Sequence, residues 1–231
     1  MSNKKIELVS EERVYNSYVK VDEGLFKETN ENGEEVTYQR SRVVRPDAVA
    51  VIVYHSDDDA VMLVKQSRYP TYGKVNGDIF EIVAGKMDEG EEPFQTALRE
   101  VEEEIGYKIK EENLLYRSSF FASPGYSTEI IHLFAASVSN EDIVSDGGGV
   151  QGEHENIEIH KIPVKEFFDM FGRGEIVDAK TIIGANALWH LRNGDRVEIG
   201  LQYYEQLRLD NARKIADKVI NDPDEADEIV G

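Results

Sequence analysis

The sequence predicts an α/β fold: a mixed sheet packed among helices, preceded by an antiparallel β segment and followed by a C-terminal helix. Three observations lead there. Residues 48–54, AVAVIVY, form a near-continuous apolar run, the pattern of a strand covered on both faces. Residues 85–107, GKMDEGEEPFQTALREVEEEIGY, place apolar side chains at helical spacing directly after a β-like run. Residues 13–45 alternate around Asn32-Gly33, a hairpin signal.

The elements follow in chain order. SYVKVDEGLFKET and EEVTYQRSRVVR are the paired N-terminal strands, joined through Asn30-Glu31-Asn32-Gly33. AVAVIVY comes next, then the turn HSDDD and a second buried strand, AVMLVKQSRY. Residues 78–84, DIFEIVA, read as one strand running into Gly85. In the helix that follows, Pro93 suits the first turn, where its missing N–H costs nothing, and Gly106 suits the stop. Between them Phe94, Ala97, Leu98, Val101 and Ile105 form the stripe that faces a core. SSFFASPGYSTEIIHLFAASV is a strand, a Pro-Gly turn and a strand. The glycine-rich SDGGGVQGEHEN leads to the strand IEIHKIPV and the helix VKEFFDMFGRGEI. DAKTIIGANALWHLRNG is a further helix with Asp178 as N-cap, and VEIGLQYYEQLRLDNARKIADKVI is a long final one. The expected divisions are 1–45 for the β segment, 46–195 for the main domain and 196–231 for the last helix and acidic tail.

Composition narrows the function classes. The chain has 231 residues, 46 acidic against 26 Lys and Arg, and a formal charge of −20. That balance argues against nucleic acid, which needs a basic face. No apolar run approaches the roughly 18 residues that span a bilayer, and the N-terminus lacks a secretory apolar core. There is no cysteine, so disulfides and thiolate chemistry are excluded. A cytoplasmic enzyme without membrane partners is the simplest expectation.

The acidic stretch of the helix carries the chemistry. Glu100, Glu103 and Glu104 are related as i, i+3 and i+4 and share a face, while Glu102 points away. Each like-charge pair at this spacing costs about 0.2–0.5 kcal/mol. A hard divalent cation reverses that sign, and oxygen-only ligands favour Mg²⁺, with Mn²⁺ as a substitute, over zinc. The segment resembles the Nudix box: glycine, five residues, glutamate, seven residues, then Arg-Glu-aliphatic-any-Glu-Glu-any-Gly-aliphatic. Gly85, Glu91, Arg99, Glu100, Val101, Glu103, Glu104 and Gly106 all match. Tyr107 departs, at a position expected to pack rather than react.

Residues from about 43 to 190 look like the ADP-ribose pyrophosphatase branch of the Nudix hydrolases. The resemblance implies a Nudix-type α/β/α sandwich and a homodimer with exchanged N-terminal strands. It implies Mg²⁺ held by Glu100, Glu103, Glu104 and the Ala84 carbonyl, with Glu155 as a further contact and Glu153 as base; these two are interchangeable in role. Arg99 joins the catalytic set with Glu103 by holding the carboxylates in place, and Glu91 looks structural. Arg68 is expected on the substrate phosphates, where a guanidinium offers a planar fork of donors. Glu81 either orients a ligand or water, or pairs with Arg68 or Arg99. Ser123, Pro124, Gly125 and Glu129 are expected at the terminal sugar. His154 and His160 are read as structural or solvated, and Tyr18, Phe26 and Tyr38 are the aromatics available to stack on a base. The implied reaction is Mg²⁺-dependent hydrolysis of ADP-ribose to AMP and ribose 5-phosphate. The competing substrate is another nucleoside diphosphate sugar such as GDP-mannose. A non-catalytic ADP-ribose sensor is disfavoured by the intact acidic set.

Overall fold

The computed structural model of the protein describes residues 4–75, 77–149 and 157–193. Two sheets organise it. The first has three antiparallel strands in the order β1-β2-β3, with β1 Lys5–Asn16, β2 Lys20–Thr29 and β3 Glu35–Val44. β1 was not expected from the alternation alone, because it is exposed along its whole length and shows no buried face. Backbone pairing with β2, aided by the Arg13–Asp22 ion pair, holds it instead.

The second sheet has seven strands, five of them in the order β10-β5-β4-β9-β8. These are β4 Ala48–His55, β5 Ala60–Gln66, β8 Leu114–Phe121, β9 Ile130–Val138 and β10 Glu158–Pro163. β4 and β9 run parallel, and the other pairs are antiparallel. β4 is the buried centre expected of AVAVIVY: Val49, Val51 and Val53 face one core, while Ala50 and Ile52 face the other.

The single strand expected over residues 78–84 is two. β6 Ile79–Glu81 pairs with β5, and β7 Val83–Lys86 pairs with β4. β4 and β5 pair with each other only next to their turn, from Val53–His55 to Ala60–Met62, and the 79–86 segment pairs with both beyond it. At the crossover, Ile82 N leaves both ladders and donates to Thr181 Oγ1 at 2.9 Å. Sequence pattern cannot show this, because the switch is between two neighbours of the strand.

Helices cover both faces. α1, Pro93–Ile105, packs Ala97, Val101 and Ile105 against the β4 valines, with Phe94 and Leu98 at the margin. α2, Val164–Gly172, and α3, Ala179–Arg192, close the opposite core through Val164, Phe167, Ala185 and Leu188. The result is the expected sandwich. Gly106 ends α1 in the left-handed region at φ 75°, and Tyr107 packs at 6% exposure. No helix among the described residues is long and apolar enough to cross a membrane. The final helix and acidic tail expected over 196–231, and the loop with Glu153, His154 and Glu155, lie outside the described residues.

Candidate active site

The box residues assemble where β7 hands the chain to α1. Gly85 is required there: a Cβ would lie 1.9 Å from the Glu100 carboxyl carbon, so the missing side chain is the space the carboxylate occupies. Glu104 reaches back to the same strand and accepts a hydrogen bond from Ala84 N at 3.2 Å. Glu100 and Glu104 are buried, at 9% and 4% exposure, whereas Glu102 is exposed.

Arg99 holds the carboxylates apart and in place. Its Nη1 donates to Glu100 Oε1 at 2.7 Å and Glu103 Oε2 at 2.8 Å. Its Nε and Nη2 form a fork on Glu91 at 3.1 and 3.0 Å, and Nη2 also reaches the Lys86 carbonyl at 3.3 Å. The guanidinium beside Glu91 lowers that carboxyl to about 2. The hydrogen bond to Glu91, the Glu100 charge, and the hydrogen bonds to Glu100 and Glu103 raise Arg99 further against burial. The two residues form the framework of the site.

The donor set fits a hard divalent cation. Every side-chain ligand atom is oxygen, as Mg²⁺ or Mn²⁺ requires. Among the described residues no three His, Asp or Glu side chains converge as a finished ligand set. Arg99 Nη1 bridges Glu100 and Glu103 and supplies the compensating charge.

These carboxylates open onto a cleft of about 840 Å³ whose walls also include Arg68, Ala84, Arg99 and Glu129. That volume lies within the range of small-molecule sites. Arg68 grips Glu81 through Nε and Nη2, both at 2.9 Å. Glu81 is only 2% exposed and stands behind Arg68 rather than in the cleft wall; of the two roles open to it, pairing with Arg68 is the one seen. Lys180 joins from α3, with Nζ 3.3 Å from Glu81 and 2.8 Å from Asp178. Burial alone would lower the Lys180 ammonium, but the Asp178 and Glu81 charges outweigh it and raise it. Asp178 caps α3 as expected, accepting from Thr181 N at 2.9 Å.

The 122–129 loop forms the far wall only in part. Ser123 O accepts from Tyr126 N at 3.1 Å and Ser127 N at 2.9 Å, so the tight turn is present. Ser123, Pro124 and Gly125 themselves do not line the cleft; Ala122 and Glu129 do. Glu129 is held by Arg45, whose Nε donates to its Oε1 at 3.0 Å. The backbone around Arg45 is stitched to the same loop: Arg45 N donates to Thr128 Oγ1 at 3.0 Å, and Thr128 N to Val43 O at 3.0 Å. Arg45 and Lys180 are site residues that sequence reasoning missed. Arg45 is far along the chain from Glu129, and Lys180, though close to Asp178, is far from Glu81, so no spacing rule links either cation to the cleft.

Of the aromatics considered for base stacking, Phe26 and Tyr38 stack on each other, with ring centroids 5.9 Å apart. Tyr18, at the β1–β2 turn, is 93% exposed and borders the cleft. His160 and Phe80 pack as a T-shaped pair with ring centroids 5.2 Å apart, in keeping with a structural role.

Comparison with known proteins gives the assembly a family. The chain is 31% identical over 188 residues to the GDP-mannose pyrophosphatase of Citrobacter koseri, covering 80% of this chain and 96% of that one. It is equally similar, 31% over 185 residues, to the GDP-mannose pyrophosphatase of Shigella flexneri, covering 79% and 94%. A crystal structure of an ADP compounds hydrolase superposes with TM-score 0.62 at 20% identity, over 83% of this chain and 97% of that one, and speaks for the fold alone. The Nudix domain family matches residues 44–182, from the end of β3 into α3. With the box glutamates and their arginine seated on that fold, this chain belongs to the Nudix hydrolase family.

Proposed function

We propose that this protein hydrolyses the diphosphate of a nucleoside diphosphate sugar, using a divalent cation at Glu100, Glu103 and Glu104. One observation carries the reading. A single cleft joins those glutamates to Arg68 on one wall and to the Arg45–Glu129 pair on another. An anionic linkage and a hydroxylated sugar are what such walls recognise.

Bound there, Mg²⁺ or Mn²⁺ supplies Lewis acidity and charge neutralisation at the phosphoryl oxygens. Arg99 keeps Glu100 and Glu103 oriented for it, and the Ala84 carbonyl adds a ligand in this proposal. Arg68, preset by Glu81, offers fixed donors to phosphate. Glu129, preset by Arg45, offers a carboxylate to sugar hydroxyls. Glu153 is proposed as the base that takes the proton of the attacking water, with Glu155 as a metal contact. The described chain reaches their loop from the box itself, since Gly148 N and Gly149 N donate to Glu104 O and Glu103 O at 2.8 and 3.0 Å.

GDP-mannose is the first substrate to test, because the relatives named for it match over nearly their full length. ADP-ribose is the second reading, from the resemblance of residues 43–190 to the ADP-ribose pyrophosphatase branch; the ASPGYSTE loop at residues 122–129 is compatible with either substrate. A product-release panel with GDP-mannose, ADP-ribose, UDP-glucose and NADH, with and without chelator, decides between them. Chelator should abolish turnover of the preferred compound. Glu100→Gln should lower kcat by roughly 100-fold or more while the protein stays folded. Near-normal turnover in that variant would remove the metal assignment.

A further inference from the structure

Five cations line the cleft: Arg45, Arg68, Lys86, Arg99 and Lys180. Four are committed to carboxylates. Arg45 holds Glu129, Arg68 holds Glu81, Arg99 holds Glu91, Glu100 and Glu103, and Lys180 holds Glu81 and Asp178. Lys86 differs: among the described residues its ammonium has no ion pair and no hydrogen bond. It is unpaired although Asp88, two residues on, borders the same cleft. Its side chain is exposed, and of the five cations lining the cleft it is the one that meets no carboxylate among the described residues.

The backbone of Lys86 is nonetheless fixed. It pairs with Ala48 in the β4–β7 ladder, its carbonyl accepts from Arg99 Nη2 at 3.3 Å, and the next amide, Met87 N, donates to Asp47 O at 2.9 Å. Strand alternation sets Lys86 on the face of Ala84, opposite the face where Gly85 meets Glu100. The stem is therefore anchored at the metal turn while the charged head stays available.

We propose that Lys86 is a substrate-binding residue whose ammonium contacts phosphoryl oxygens of the anionic substrate at the edge of the Gly85 turn. This rests on the reading of the cleft as a nucleoside diphosphate sugar site. The four paired cations act as parts of fixed frameworks, and their charge is already balanced in part. Lys86 adds an unbalanced positive charge that offsets the acidic surroundings as the diphosphate enters. An ordinary strand-end lysine would instead contribute nothing to binding.

The test uses the full chain and the variants Lys86→Met, which keeps the apolar stem, and Lys86→Arg, which keeps the charge. With GDP-mannose and ADP-ribose, Lys86→Met should raise KM about tenfold and leave kcat within about twofold, the mark of lost uniform binding. Lys86→Arg should restore most of the loss. Added NaCl should raise KM more steeply in the unchanged protein than in Lys86→Met. An unaltered KM in Lys86→Met would overturn the proposal. So would an equal loss in Lys86→Arg, which would indicate a structural role. Calorimetric binding of ADP separates this from the functional reading. If the unchanged protein cleaves none of the sugars, that reading fails. Weaker ADP binding by Lys86→Met still supports Lys86 as an anion contact, and unchanged ADP binding overturns it.

Discussion

Gly85 shows how much a single residue can set in this site. A methyl group there would enter the volume of the Glu100 carboxylate, at 1.9 Å. The carboxylate is the end of a flexible side chain, so the fold can accommodate the change, but only by moving Glu100 out of the cation site proposed for it. Gly85→Ala should therefore lower kcat by about 100-fold, the cost of a displacement near 1 Å at a reacting centre. The melting temperature should stay within a few degrees; a variant with full activity would show that Glu100 is not held here. Glu91 carries the pH dependence. Its carboxyl, drawn down to about 2 by the Arg99 fork, lies below its ordinary value of 4.5. The stability it contributes is thus complete above about 4.5 and lost as pH falls toward 2. Solvent screening of the partly exposed pair limits that contribution to about 1 kcal/mol. Glu91→Gln should lose it at pH 7 and show a flatter urea-unfolding profile in the acid range, with an unflattened profile counting against the assignment.

Helix ends govern the elements. Asp178 caps α3 through Thr181 N, bonds Thr181 Oγ1 at 2.8 Å, and neutralises Lys180. Thr181 Oγ1 in turn receives Ile82 N at the crossover between β6 and β7. Asp178→Ala should cost about 1–2 kcal/mol through the cap alone. Denaturant unfolding measures this, and a loss under a few tenths would show that the cap is dispensable. At the other end of α1, Gly106 sits at φ 75° and a Cβ there would lie 2.2 Å from Ser145 O. That contact is backbone, which cannot swing aside as the Glu100 side chain can. Gly106→Ala should therefore destabilise the fold by more than the roughly 1 kcal/mol of left-handed strain.

For the whole molecule, the N-terminal sheet poses the main question. β1 exposes Ile6, Leu8, Val9, Val14 and Tyr15, each near half of full exposure, while Tyr18 at its end borders the cleft. Exposed apolar area of this kind marks an interaction surface. A homodimer covering β1 is the proposed occupant. Sedimentation equilibrium should give twice the chain mass, and Val9→Glu with Tyr15→Glu should reduce it to one. A monomer at micromolar concentration in the unchanged protein would end the proposal.

Local pattern alone determined the α1 stripe, its Pro93 start and Gly106 stop, the buried β4 run, the Asp178 cap and the shared face of Glu100, Glu103 and Glu104. These follow from periodicity and backbone preference, which act over a few residues. β1 was hidden because its burial is uniform rather than alternating, and the β6–β7 division because it depends on which neighbours the strand meets. Tertiary structure alone decided which charges pair: Arg45 with Glu129, Arg68 with Glu81, and Lys180 with Glu81 from across the chain. It also left Lys86 unpaired among the described residues. The reason is physical. Spacing sets the direction of a side chain on its own element, whereas its partner is set by register and packing between elements distant in sequence.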